Sequence, residues 1–347
     1  MIPVPPVGYG GIERIVAALL RHFRAAGHTV GLVAHVASSA SAEARYAWPG
    51  ATPGGWLDTC RNTLALRCAV RSFQPDVLHS FSRLAYLLSL LPSRLPKVMS
   101  YQRHAGGRQI SLAARLGGRS LKFTGCSEFI CNMGRPAGGE WSAIPNFVEP
   151  DKIDFTDRVA ADAPLVFLSR VESIKGPDLA IAVARATGWR LIIAGNKAKH
   201  GPERDFWDRA IAPEIGRNGI KYIGEVNNEQ KNRLLGRAAA LIVPIQWDEP
   251  FGIVFAEALA AGTPVITCPR GALPEIVDPG RTGFFMRTVP EGVAAVRRIH
   301  ELNRQACRHA AETRFSVEVC AAKYLALYHG MLGRTAMTLP EQKIDTA

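Results

Sequence analysis

Residues 248–266 read DEPFGIVFAEALAAGTPVI, and this stretch decides the fold. From Phe251 to Ala261 the residues are apolar on nearly every side, which predicts a buried helix. Gly262 is expected to end this helix, and a strand is expected to begin at once at Pro264. Similar alternation of helix and strand along much of the chain predicts α/β architecture with parallel sheets covered on both faces.

Two carboxylates belong to this stretch. Glu257 lies inside the apolar helix, and Glu249 precedes it by eight residues in a loop. A buried unpaired carboxylate is costly, so Glu257 needs donors, which either a ligand's hydroxyl groups or a nearby Arg could supply. Phe251, Gly252 and Ile253 are expected to begin the helix, with free N–H groups facing an anion or a sugar hydroxyl. Together these features predict a site for a polyhydroxylated anion.

The spacing of the two carboxylates closely resembles the E-x7-E signature of retaining glycosyltransferases with the GT-B fold, family 4 in particular. This resemblance implies two Rossmann-like, doubly wound domains that face a central cleft. It also implies that Glu249 bonds hydroxyls of the donor sugar, whereas Glu257 bonds the ribose of the nucleotide.

A pair of cations follows the first predicted strand of the second half of the chain. Arg170 and Lys175 stand in the sequence SRVESIKG, residues 169–176. Parallel sheets bind ligands at the carboxyl ends of their strands, so these cations could clamp a diphosphate; an isolated Arg and Lys in a loop are more often solvated. The R-x4-K-G spacing resembles the family's diphosphate clamp, which implies that both neutralise the leaving group.

Three further segments extend the resemblance. Gly10 and Gly11 open a helix in GGIER, which resembles the family's phosphate-contacting loop. His104 follows a predicted strand; the alternative is an ordinary surface His, but the family places a His here against the transferred sugar. By the same resemblance, backbone near Val226 contacts the nucleotide base.

The chain divides into several predicted regions. Residues 1–148 are expected to form the acceptor-side domain, 149–163 a linker, and 164–315 the domain that binds the nucleotide sugar. Residues 316–333 are predicted as a helix that crosses back to the first domain, and 334–347 as a flexible tail. Strands are expected at 29–36, 76–80, 97–101, 121–126, 165–169, 190–194, 220–223, 240–244 and 264–267.

Charge is unevenly distributed between the two halves. Residues 1–148 hold 16 Lys+Arg against 6 Asp+Glu, whereas residues 149–347 hold 26 against 24. The excess of positive charge in residues 1–148 predicts that this half meets an anionic or membrane-associated acceptor. The alternative is a solvated Arg-rich surface. No nucleic-acid-binding motif supports a nucleic-acid partner. Seven unpatterned cysteines argue against disulfides and a zinc site, which favours a cytoplasmic protein, either free or peripheral at the inner face of a membrane.

The first Gly-rich loop lacks the buried strand that precedes such a loop in a βαβ unit. We therefore expect the first strand of the N-terminal domain to be missing and to be encoded upstream of Met1, as roughly 6–10 apolar, β-branched residues.

The predicted activity is retaining, metal-independent glycosyl transfer, and a hexosyltransferase fits best. The chain would take a sugar from a nucleoside-diphosphate sugar, with no cofactor, and pass it to a glycan, lipid or small molecule. No Asp-x-Asp pair is present to hold a divalent cation. The alternatives are a phosphorylase or epimerase of the same fold, and an inactive or truncated chain that binds a nucleotide sugar or a partner.

Overall fold

The structure is a computed structural model, and it describes residues 2–6, 10–50 and 55–334. The chain separates into two compact units. Unit 1 contains Met1–Pro145 together with Val317–Ala347, and unit 2 contains Asn146–Ser316. The predicted tail lies almost wholly outside the described residues.

Helices and strands alternate along both units. The strands are β1 Gly31–Ala34, β2 Ala44–Ala47, β3 Leu78–Ser80, β4 Lys97–Tyr101, β5 Leu121–Gly125, β6 Glu140–Ala143, β7 Leu165–Leu168, β8 Leu191–Ala194, β9 Ile220–Tyr222, β10 Ala240–Val243, β11 Val265–Thr267 and β12 Gly283–Phe285. The helices are α1 Gly11–Ala25, α2 Trp56–Phe73, α3 Gly107–Gly117, α4 Glu128–Gly134, α5 Pro177–Thr187, α6 Pro202–Phe206, α7 Asn228–Gly236, α8 Ile253–Ala260, α9 Leu273–Ile276, α10 Val289–Arg297, α11 Arg304–Phe315 and α12 Val317–Met331. A 3-10 segment, Leu84–Leu90, connects β3 to β4.

Unit 1 contains two parallel sheets. One pairs β1 with β2, and the other has the order β3-β4-β5-β6. Within the described residues no strand joins β1 to β3, and the strand expected ahead of Gly10 stays a prediction. Val4 is buried, and its carbonyl accepts hydrogen bonds from the amides of Ser39 and Ala40, at 2.9 Å each.

Polar side chains link α12 to the larger sheet of unit 1. His79 of β3 lies 2.5 Å from the Tyr328 hydroxyl through Nδ1 and 2.6 Å from Ser100 Oγ through Nε2. Ser100 Oγ in turn lies 2.5 Å from Thr124 Oγ1 on β5. Because this region is buried, the pKa of His79 is lowered to about 3 and that of Tyr328 is raised well above its usual value.

Unit 2 contains one six-stranded parallel sheet with the order β12-β11-β10-β7-β8-β9. The chain starts in the middle at β7, builds outward through β8 and β9, and then returns through β10 to the other side. This is a doubly wound sheet, and its topological switch point lies between β7 and β10. All four residues of β7 and all four of β10 are buried, as expected for central parallel strands.

A buried guanidinium joins several segments of unit 2. Arg304 of α11 donates to the carbonyls of Thr156, Ala238 and Gly236 and to the hydroxyl of Thr263, at 2.6–3.0 Å. Burial lowers the pKa of Arg304 to about 10. Its planar set of donors satisfies four acceptors that water reaches poorly.

All nine predicted strands are confirmed to within two residues, but β2, β6 and β12 were missed. β2 and β6 are half exposed, with alternating burial, and hold no β-branched residue. The predicted start of the helix at Phe251 is wrong, because α8 begins at Ile253. Gly262, with φ of +81°, ends that helix as expected.

The seven cysteines are all free thiols, of which Cys60 and Cys68 are exposed. In the described parts of the chain, no helix has both the length and the apolar character needed to cross a lipid bilayer.

Candidate active site

The loops that follow β7 and β10 are joined at the switch point of unit 2. Gly176 ends the short 3-10 turn Ser173–Lys175 with φ of +70°, and a Cβ at this position would lie 2.2 Å from the carbonyl oxygen of Pro244. The amide of Gln246 donates to the carbonyl of Ile174 at 2.8 Å. Only glycine permits this backbone approach, which brings the Lys175 turn beside the loop that carries Glu249.

Lys175 and Glu249 form an ion pair within this junction. Lys175 Nζ lies 2.5 Å from Glu249 Oε2, and the two side chains are only 9% and 12% exposed. The indole N–H of Trp247 donates to the same oxygen at 2.9 Å, and the ammonium lies 4.8 Å from the centre of the Trp247 ring. The two charges that the sequence placed in one site are therefore in direct contact.

The loop after β11 holds Glu249 from the other side. Gly271 has φ of +58°, and a Cβ there would lie 2.3 Å from the carbonyl oxygen of Glu249. The same carbonyl accepts a hydrogen bond from the amide of Ala272 at 2.8 Å. The backbone of Glu249 is thus fixed by the β11 loop, while its side chain is fixed by the β7 loop.

Arg170 lies at the same edge of the sheet but is more open to solvent. Its guanidinium is 2.5 Å from Glu172 Oε1, and its side chain is 41% exposed. A partly exposed Arg beside a nearly buried Lys gives this edge two cations, one accessible and one held rigidly.

The residues at the start of α8 differ from the sequence prediction. Gly252 caps the helix in a left-handed conformation, so Phe251 and Gly252 precede the first helical turn and Ile253 is its first residue. Phe251 is a core residue, packed edge to face on Phe315 with ring centres 5.7 Å apart. The free amides of the first turn begin at Ile253 rather than at Phe251.

Glu257 is paired within the protein. Its carboxylate accepts a hydrogen bond from Lys231 of α7, and each side chain is 15% exposed. Of the two partners considered for Glu257, the intramolecular cation is therefore present, although it is a Lys and not an Arg. Lys231 was missed because nothing in the sequence indicates that α7 presents it to α8.

A third cation lies at the same edge, after β8. Lys197 Nζ is 4.3 Å from the centre of the Trp207 ring and 5.5 Å from that of Tyr222. The loop after β9 runs beside it and carries Val226, which is half buried. Sequence reasoning missed Lys197, since its aromatic partners are distant in the chain.

The remaining predicted residues belong to unit 1. Gly10 caps α1, and Gly11 is the first residue of that helix. A Cβ at Gly10 would lie 2.8 Å from the Cβ of Pro6 and 2.9 Å from the carboxylate of Glu13. His104 is exposed in the loop that follows β4.

The arrangement in unit 2 suits a ligand with phosphate and hydroxyl groups. Lys175, Arg170 and Lys197 offer positive charge at the carboxyl edge of the sheet, and Glu249 and Glu257 offer acceptors for hydroxyl groups. Within the described residues, no three His, Cys, Asp or Glu side chains come together as a set of metal ligands.

Comparison with known proteins agrees with this geometry. The family described as Glycosyltransferase Family 4 matches residues 9–152, and the family described as Glycosyl transferases group 1 matches residues 152–313. A glycogen synthase from Mycobacterium tuberculosis is 28% identical over 366 residues, which cover 89% of this chain and 87% of that protein.

Solved structures of similar fold cover nearly the whole chain. AviGT4, a glycosyltransferase involved in avilamycin A biosynthesis, is 26% identical with a TM-score of 0.69, covering 97% of this chain and 94% of its own. HepE of Anabaena, in complex with UDP and glucose, is 18% identical with a TM-score of 0.68. The match covers 92% of this chain and 96% of HepE. Since the two family matches together run from residue 9 to 313, the chain belongs to the GT-B glycosyltransferases of family 4 and is an enzyme that transfers sugar.

Proposed function

We propose that this glycosyltransferase is a retaining hexosyltransferase that uses a nucleoside-diphosphate sugar and needs neither a metal ion nor another cofactor. The observation that carries the proposal is the Lys175–Glu249 pair at the switch point of unit 2, with Arg170 at the same edge. HepE, a protein of the same fold, is known in complexes with UDP, glucose and UDP-glucose, which favours a uridine nucleotide as donor.

The cations would neutralise the charge that develops on the departing diphosphate. An ammonium has three donors, so Lys175 can keep its bond to Glu249 and still donate to a phosphate oxygen. Arg170, which is more exposed, would add a second charge-assisted contact. Positive groups fixed before the reaction stabilise the transition state without reorganising, which is the role that a metal has in other glycosyltransferases.

The carboxylates would orient the donor. Glu249 would accept hydrogen bonds from sugar hydroxyls and Glu257 from the ribose, while the amide of Ile253, the first residue of α8, would face the diphosphate. The bond from the anomeric carbon to the phosphate oxygen breaks as the acceptor oxygen attacks from the same side. The acceptor's proton passes to the departing phosphate, and the configuration at the anomeric carbon is retained.

The residues of unit 1 would serve the acceptor side. We infer that Gly10 and Gly11 approach the phosphate through backbone amides and that His104 contacts the transferred sugar. In unit 2, backbone near Val226 would contact the nucleotide base.

The acceptor would be anionic or membrane-associated, since unit 1 carries most of the net positive charge. The enzyme would be cytoplasmic and peripheral at the inner face of a membrane.

The test is calorimetry with UDP, GDP and ADP, followed by donor hydrolysis with the matching sugar nucleotides. We expect one nucleotide to bind more tightly than the others, hydrolysis to persist in a chelator, and the product to keep the donor's anomeric configuration when read by NMR. Arg170→Gln is expected to reduce turnover, whereas Arg217→Gln, an exposed change elsewhere in unit 2, is not. Inversion, or activity that a chelator abolishes, would refute the mechanism; the lack of any nucleotide binding would refute the donor class.

A further inference from the structure

Large apolar side chains are exposed on one part of unit 1. Of the ten exposed large hydrophobic residues in the described chain, six lie on α2, the Leu84–Leu90 segment and α3. They are Trp56, Leu57, Leu64, Leu88, Leu112 and Leu116, and Trp56 and Leu64 are 73% and 61% exposed. Such clustering on a monomer indicates a surface that meets a partner.

The same elements are strongly basic. α2 carries exposed Arg61, Arg67 and Arg71, and α3 carries exposed Arg108 and Arg115. The acidic residue on these elements is Asp58, which is partly buried and pairs with Arg61. Between residues 59 and 127 the sequence holds eleven Lys+Arg and a single acidic residue.

The three elements are neighbours in unit 1. The Leu84–Leu90 segment contacts both α2 and α3, while α12 packs on α1. Along α2, residues 57, 61, 64, 68 and 71 recur at helical spacing and are all exposed, and residues 108, 112, 115 and 116 do the same along α3. We call the outer side of α2, Leu84–Leu90 and α3 the basic-apolar face.

We propose that the basic-apolar face docks on a bilayer surface rich in anionic lipid. Leucine and tryptophan beside arginine on one helical face is the pattern of helices that lie in the membrane interface, where apolar side chains enter the headgroup region and cations meet anionic lipid. A second copy of the chain would bring like charges together, and a nucleic acid would leave six apolar side chains without apolar contact. The proposal rests on the membrane association in the proposed function and deepens it, since it assigns the surface and the class of lipid, neither of which donor binding requires.

The test is co-sedimentation of the full chain with vesicles of phosphatidylcholine, with and without about one-third phosphatidylglycerol. The charge variant is Arg67→Gln/Arg71→Gln/Arg115→Gln, and its matched control is Lys221→Gln/Arg237→Gln/Arg281→Gln, which removes three exposed cations of unit 2. Each arginine near an anionic surface is worth roughly fivefold in binding, so the charge variant should bind more than about tenfold more weakly. The control should stay within about twofold, because its cations lie elsewhere.

A second pair of variants tests the apolar side chains. Leu64→Gln/Leu112→Gln should weaken binding to anionic vesicles about tenfold, whereas Val36→Gln, which is 76% exposed elsewhere in unit 1, should not. Equal binding to neutral and anionic vesicles, or equal losses in a variant and its control, would overturn the proposal. So would concentration-dependent self-association that Leu64→Gln/Leu112→Gln abolishes. Affinity for UDP should be unchanged in every variant, so failure here is distinct from failure of the proposed function.

Discussion

Replacing Lys175 by methionine separates the structural role of the Lys175–Glu249 pair from its role in the reaction. Both side chains are nearly buried, and removing one partner of a buried pair costs about 3–5 kcal/mol because the other charge is left uncompensated. Glu249 keeps the hydrogen bond from Trp247, so we expect Lys175→Met to lower the free energy of unfolding by about 3 kcal/mol, at the lower end of that range.

The double variant Lys175→Met/Glu249→Gln removes both charges and keeps the acceptor for Trp247. Its free energy of unfolding should return to within about 1 kcal/mol of the parent, since no unpaired charge remains. Turnover should not return. Losing a charge-assisted contact in the transition state costs about 1.5–3 kcal/mol, which is roughly 10–150-fold in rate.

Urea unfolding and donor hydrolysis, measured on the parent, both single variants and the double variant, complete the cycle. The exposed Arg190–Asp162 pair of unit 2 serves as a control, where Arg190→Met should have little effect on either measurement. If the double variant recovered turnover together with stability, the pair would be purely structural and our assignment of both residues to the site would be wrong.

Three other predictions follow from buried groups. Glu257→Gln should weaken UDP binding by about 1.5–3 kcal/mol in calorimetry, whereas Glu229→Gln on exposed α7 surface should not; equal affinities would make Glu257 structural. Arg304→Met should lower the free energy of unfolding by more than about 3 kcal/mol, because several buried acceptors lose their donor; a smaller urea effect would contradict this. The folded-state pKa of His79, about 3, lies below its usual 6.5. The free energy of unfolding should therefore be highest above pH 6.5 and should fall as the pH is lowered toward 3, and His79→Gln should reduce this dependence on pH.

The candidate site was predicted where its residues follow central strands. β7 and β10 are short, continuous apolar runs, so their carboxyl ends could be located to within one residue. Arg170, Lys175 and Glu249 lie in the loops that follow those ends, and neighbouring parallel strands bring these loops together. The contact between Lys175 and Glu249 is therefore a consequence of strand order. The alternation of elements indicated a parallel sheet, but it did not indicate that β10 lies beside β7.

The partners on other elements could not be predicted in the same way. Lys231 lies on a polar helix whose sequence shows a capping box at Asn227 and Gln230 but no pattern that selects the side facing α8. The cation–π contacts of Lys197 depend on a π-helical turn at Trp207–Ile211, a departure from regular helix that periodicity does not reveal. Such contacts are decided by packing between distant segments and not by local propensity.

The glycines at the site show how the backbone fixes the positions of its charged groups. Gly176 brings the β7 loop against the carbonyl of Pro244, and Gly271 brings the β11 loop against the carbonyl of Glu249. Both are close approaches between backbones at positive φ, so a side chain at either glycine would force the loops apart. An ammonium and a carboxylate on such loops stay within hydrogen-bond distance before any substrate arrives. A cation that is already held in place can stabilise a departing diphosphate without first having to reorganise, and this lowers the barrier to departure.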